Sequence, residues 1–155
     1  VLVEPLRGGQ APAGAGDPAA LLEAAFERVA RDRMAGMPLA NPALRVRAVG
    51  FRGTSAGWLG ALVTPWCMNL MLLAAPGTPW RAPALGERLR FALPGGEFDF
   101  TGGREDGVGE YLYCSLFSPM GMFADAETAE QTACEAVRLA LSPPPAQPEP
   151  GPAIA

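Results

Sequence analysis

The chain has 155 residues, 49% of them hydrophobic, which suits one domain with a sizeable core. A formal net charge of -4 argues against nucleic acid, because phosphate binding needs clustered basic charge and the arginines are scattered along the sequence. All 12 basic side chains are arginine and histidine is absent, which removes lysine Schiff-base chemistry, histidine-dependent dyads and the usual imidazole metal sites.

Residues 1–16 are rich in glycine, alanine and proline without periodicity and read as a disordered leader, so structure is expected to begin at Asp17. Asp17-Pro18 is an N-cap followed by a proline at the first helical position. Leu21, Leu22, Ala25, Phe26, Val29, Ala30 and Met34 then recur at helical spacing until Gly36 and Pro38 stop the helix. The opposite face carries Glu27 with Arg31 and Arg28 with Asp32 at i,i+4 spacing. Asn41-Pro42 marks a turn, and Arg45 to Arg52 reads as a strand.

Gly53-Thr54-Ser55-Ala56-Gly57 has the spacing of a nucleophile elbow. An elbow needs a following helix and a histidine; here a strand follows and no histidine exists, so the stretch is expected to be a hairpin loop. The uncharged run from Gly53 to Pro79 approaches the roughly 20 apolar residues of a membrane span. Thr64, Pro65 and Asn69 interrupt its centre, which fits two buried strands, Trp58 to Thr64 and Trp66 to Leu73, joined at a corner. Asn69 should tie that corner to neighbouring backbone, since an unpaired buried amide costs about 1–3 kcal/mol. The functional reading of the same residues is a recognition surface of Trp66, Met68 and Asn69.

Leu89, Phe91 and Leu93 alternate with polar or small residues, as do Phe98 and Phe100, across a Pro94-Gly95-Gly96 turn. This pattern predicts a hairpin with one face on the core. Gly102 to Gly109 reads as a solvated acidic loop holding Glu105 and Asp106, and Tyr111 to Phe117 as a strand covered on both faces. Ser118 to Phe123 is a loop whose Met120, Met122 and Phe123 form either a core lid or an adaptable interface. A last helix starts at Asp125 and places Ala129, Ala133, Ala136, Val137 and Ala140 on one face. Residues 142–155 read as a disordered Pro-rich tail.

These elements predict an α+β fold: an antiparallel β-sheet with an N-terminal and a C-terminal helix packed against it, forming one domain over residues 17–141. Cys67, Cys114 and Cys134 are far apart and form no C-x-x-C pair, which implies a reducing compartment. With no secretory signal apparent and no membrane span, the expected location is the cytoplasm.

Several words of the sequence resemble the HybE/HupJ-type nickel-iron hydrogenase assembly chaperones. They are Asn41-Pro42-Ala43-Leu44, Ala48-Val49-Gly50-Phe51-Arg52, Gly60-x-Leu62-Val63-Thr64-Pro65-Trp66-x-Met68-Asn69-Leu70, Gly96-Glu97-Phe98, Glu105, Gly109-x-Tyr111 and Cys114-Ser115-Leu116-Phe117-Ser118-Pro119-Met120. The resemblance implies a non-enzymatic accessory protein, without a cofactor or metal, in the maturation of a membrane-bound uptake hydrogenase. Its partners would be the hydrogenase small and/or large subunit precursor before twin-arginine export, together with a rubredoxin-like protein as a separate chain. Partner-binding residues are expected among Trp66, Met68, Asn69, Phe117, Met120, Met122 and Phe123, with Glu105 and Asp106 receiving guanidinium groups. The competing readings are a redox protein using a cysteine thiolate and a small-ligand carrier using the apolar corner.

Overall fold

The structure, a computed structural model, describes residues 2–3, 17–74 and 83–143. Helix α1 spans Ala19–Asp32 and helix α2 Ala126–Ala140. The strands are β1 Leu2–Val3, β2 Arg47–Thr54, β3 Gly57–Val63, β4 Met68–Leu73, β5 Arg88–Leu93, β6 Gly96–Glu105 and β7 Gly109–Phe117. They form one sheet in the order β1-β5-β6-β7-β4-β3-β2. Two three-strand meanders, β2-β3-β4 and β5-β6-β7, are joined by antiparallel pairing of β4 with β7. Only the two-residue β1 is parallel, on the outer side of β5, so pairing starts upstream of Asp17. The remainder of the expected leader and residues 144–155 of the expected tail lie outside the described residues.

Each helix start has an aspartate beside it, but only Asp125 is the cap residue itself; α1 starts after Pro18, which makes no side-chain cap bond. The Asp17 carboxylate accepts from Ala19 N–H at 2.8 Å, and that of Asp125 from Thr128 N–H at 2.7 Å. The Asp125 carboxyl is held below its usual range by these bonds to Thr128. Side chains alternate across a strand, and the two helices use opposite faces of the sheet. Ala129, Ala133, Val137 and Ala140 of α2 pack on Leu59, Ala61, Val63, Leu70, Leu72, Phe91 and Phe100. Leu22 of α1 packs on Leu62, Met71, Leu73 and Tyr111. Leu21, expected on the inner face of α1, is 50% exposed.

The uncharged run forms the two inner strands β3 and β4, and no helix of the described residues is long and apolar enough to cross a membrane. The stretch with elbow spacing is the β2–β3 turn. Gly102 to Gly109 is not a loop: β6 runs to Glu105, a tip follows, and β7 starts at Gly109. Its glycines were misleading because two of them answer to long-range packing. A Cβ on Gly103 would lie 2.6 Å from the Tyr111 ring, and one on Gly102 would lie 2.9 Å from the carbonyls of Pro83 and Ala84. Strand β7 is also less covered than expected, with Tyr111 and Leu112 buried but Ser115 exposed.

The β5–β6 turn closes against the end of α2, where Gly95 N–H donates to the Ala140 carbonyl at 2.9 Å. A Cβ at Gly95 would stand 2.2 Å from the Leu139 carbonyl oxygen, so Gly95→Ala must push α2 off the turn. Urea unfolding should show a loss of about 1–3 kcal/mol, the range for overpacking; an unchanged midpoint would refute this contact.

Candidate functional site

The corner between β3 and β4 is built by Thr64. Its fully buried hydroxyl accepts from Cys67 N–H at 2.9 Å and Trp66 N–H at 3.2 Å and donates to the Cys67 carbonyl at 3.0 Å. Thr64 N–H donates to the same carbonyl at 2.9 Å. Asn69, expected to hold the corner, is half-buried and its amide instead reaches Cys67 Sγ at 3.6 Å. A short hydroxyl beside the turn satisfies its donors locally, as in other Ser/Thr turns, and no second residue is needed there.

The residue that joins this corner to its surroundings is Asn41, which sequence reasoning placed only in a turn. Its backbone N–H donates to the Pro65 carbonyl at 2.8 Å. Its side-chain amide donates to the carbonyls of Met120 at 3.0 Å and Phe123 at 2.8 Å, and its Oδ1 accepts from Ala43 N–H at 3.0 Å. One residue thereby pins three segments at one end of the sheet, 64–67 through its backbone N–H and 41–44 and 118–123 through its side chain. The Ser118–Pro119 peptide within the third segment is cis.

The expected partner-binding residues divide here. Met68 and Met120 are fully buried and Phe123 is 7% exposed, so these are core residues; Phe123 meets Phe117 edge to face with centroids 5.3 Å apart. The lid reading therefore holds for Met120 and Phe123, because the bonds from Asn41 turn that loop inward. Trp66, Asn69 and Phe117 are half-buried, and Met122 is 61% exposed beside the same end. Leu39 at 64% exposure adds an apolar residue that the sequence reading did not single out.

Glu105 and Asp106 lie at the opposite end of β7, a nine-residue strand spanning roughly 30 Å. Glu105 is not solvated: its side chain is 16% exposed and is ion-paired with Arg33. Arg28, expected to pair with Asp32, instead donates to the Asp106 carbonyl at 3.1 Å. Together with Val29, Asp32 and Arg33, these residues line a cleft of ≈ 480 Å³. The Glu105 carboxylate raises the Arg33 guanidinium further, and burial with the nearby Glu105 charge pushes the Tyr111 phenol up to about 12.

A connection between the two ends emerges from these ties. Arg33 is anchored at the acidic tip and Asn41 at the apolar end, and the strap 34–40 that joins them is folded into turns, with Met37 N–H donating to the Met34 carbonyl at 3.1 Å and Ala40 N–H to the Met37 carbonyl at 3.2 Å. Met34 and Met37 of the strap are half-buried. Two methionines and a leucine within this short, Gly36- and Pro38-containing stretch were the available sequence signal.

Neither of the inner thiols is activated. Burial raises Cys67 above its ordinary value despite bonds from Thr64 and Asn69, and burial followed by the Asp99 charge raises Cys114. Among the described residues no group of three or more His, Cys, Asp or Glu is placed to hold a metal. A groove of ≈ 770 Å³ lies between β2 and α2, away from the corner.

Comparison with known proteins places the chain in the class of hydrogenase assembly proteins. Residues 17–154 match the family described as NiFe-hydrogenase assembly, chaperone, HybE, and the chain belongs to that family. The match extends past the last of the shared words and through the Pro-rich tail. Protein HoxT of Cupriavidus necator is 43% identical over 139 residues, covering 79% of this chain and 75% of that one. Hydrogenase-2 operon protein HybE of Escherichia coli K12 is 32% identical over 132 residues, covering 85% and 82%. The probable rubredoxin HupJ of Rhodobacter capsulatus is 41% identical over 119 residues, which is 77% of this chain and 40% of that one. The solution structure of HybE from Escherichia coli superposes with a TM-score of 0.64 at 28% identity, covering 97% of this chain and 92% of that one.

Removing the Asn41 side chain as Asn41→Ala leaves two carbonyls without their donor and should lower stability by about 1–3 kcal/mol. Asn41→Asp, which cannot donate when ionised, should be at least as damaging in a thermal melt; wild-type stability in both would show that the pin is dispensable. Because burial raises the Cys67 and Cys114 thiols, each holds less thiolate at neutral pH than a free cysteine. Alkylation near pH 7 should therefore label the exposed Cys134 first and reach the other two only as pH rises. Rapid labelling of Cys114 at pH 7 would revive the redox reading.

Proposed function

We propose that this chain is a non-enzymatic chaperone in the maturation of a membrane-bound uptake nickel-iron hydrogenase. It acts in the cytoplasm, holding the small and/or large subunit precursor before twin-arginine export. The observation that carries the reading is the pinned end of the sheet. Asn41 fixes three separate segments at that end, where Trp66 stays half-buried and Met122, like Leu39 just before Asn41, stays exposed. An apolar stretch of a client can dock on such a preorganised rim at low conformational cost.

The strap 34–40 extends the contact toward the acidic tip. Glu105 is already neutralised by Arg33, so the exposed Asp106 is the carboxylate that receives a guanidinium of the client. A precursor whose twin arginines precede an apolar segment satisfies both ends when it lies extended between them. The name of the Rhodobacter relative suggests that a rubredoxin-like protein joins the same work.

Titration calorimetry against the subunit precursor, or its signal peptide alone, tests this surface. Trp66→Ala combined with Met122→Ala should weaken binding about thirtyfold at any salt, as for an interface hot spot, while the melt changes little. Asp106→Lys should weaken it at low salt only, since exposed charges are screened within about 8 Å at physiological ionic strength. Wild-type affinity in both variants would place the interface elsewhere, and failure of the tagged chain to recover any hydrogenase subunit from cells would overturn the function itself.

A further inference from the structure

A second surface is independent of that rim. The groove of ≈ 770 Å³ between β2 and α2 has Val49 and Ala126 on its walls, with Arg45 from the segment before β2, Arg52 from the strand and Glu127 and Arg138 from the helix around it. Half of its six charged residues, Glu130, Glu135 and Arg138, are in ion pairs. Arg47, beside it, bridges Glu130 at 3.3 Å and Glu23 at 3.7 Å, and Arg138 is bonded to Glu135. Glu127 accepts from Gln131 at 3.3 Å. What remains without an ion pair among the described residues is Glu127 on the α2 side and, on the other side, Arg45 and Arg52, both exposed. In a chain of net charge -4, the unmet charge of this groove is therefore positive on its β2 side.

We propose that the groove docks an extended acidic segment of a protein partner. The segment's carboxylates meet Arg45 and Arg52, and an apolar side chain between them fills the space over Val49 and Ala126. Guanidinium forks take carboxylates with two parallel hydrogen bonds, which gives the contact direction as well as charge. Arg45 and Arg52 are seven positions apart, with Gly50 at φ 70° and a register shift between them, so the two guanidiniums offer separate points of attachment to an extended segment. Glu127 on the helix side repels a second row of acids, so the occupant presents carboxylates to β2 and uncharged or basic groups to α2. Strand addition to β2 is not the mode: the Glu23 carboxylate occupies Ala48 N–H at 3.0 Å, and the strand's register shifts between Val49 and Arg52. The contact is made by side chains.

Cys134 lines the same groove and is exposed, which makes it a built-in reporter. The probes are a fluorescein-labelled peptide alternating leucine with glutamate, and a counterpart with lysine in place of glutamate, each titrated into the full chain by anisotropy. The glutamate peptide should bind and slow Cys134 alkylation severalfold, read by mass spectrometry of the digested protein. Arg45→Glu with Arg52→Glu should weaken it about tenfold and turn the preference to the lysine peptide. The milder pair Arg45→Gln with Arg52→Gln should weaken the glutamate peptide without that reversal. Equal binding of both peptides to the wild type, unaltered alkylation of Cys134 on binding, or full affinity in the charge-reversed chain would each overturn the proposal. So would Cys134 protection that grows with protein concentration before any peptide is added, which would assign the groove to a second copy.

Discussion

The pairing of β4 with β7 is the contact on which the rest of this structure depends. Each meander could close locally, but only this antiparallel seam, from Met68 opposite Phe117 to Leu72 opposite Leu112, makes one sheet of them. It creates two opposed apolar faces, one for each helix, and brings the β3–β4 corner beside the segment that follows β7. A buried large apolar side chain is worth about 1.5–3 kcal/mol, and the seam orders several at once, among them Met68, Leu70, Met71, Leu72 and Leu112. Its register shift next to Met68 lets the strand turn into the corner while Phe117 stays against Phe123.

The seam also explains why words scattered over the sequence share a family likeness. Asn41-Pro42, Thr64 to Asn69 and Ser118 to Met120 meet at one end of the sheet, where their polar groups satisfy one another. Such a cluster constrains its members jointly. Replacing Asn41 affects the Met120 carbonyl 79 positions away as directly as its own neighbours.

Local chemistry was the legible part. Asp17 and Asp125 beside the helix starts, the alternation across Pro94-Gly95-Gly96 and the proline between two apolar runs each state their structure within a few residues. They yielded both helices and the antiparallel sheet. What local pattern does not carry is the partner across the fold. Gly102 and Gly103 looked like loop residues because the Pro83–Ala84 backbone and the Tyr111 ring that require them are elsewhere in the chain. Glu105 looked solvated because its arginine is 72 positions distant. Met120 stayed open between lid and interface because the amide that draws its loop inward belongs to a turn near the start. The arginines seemed scattered, yet β2 and α2 gather Arg45, Arg52 and Arg138 around one groove.

The treatment of β2 has a consequence for how such a protein survives its own work. An outermost strand offers a row of backbone donors and acceptors to any extended chain nearby, and unfinished polypeptides are full of extended chain. Here a glutamate from α1 covers one donor, an arginine bridges over the strand to both helices, and an irregular register spoils the spacing that a foreign strand would need. The molecule can therefore meet extended polypeptide at high local concentration without becoming the seed of a mixed aggregate.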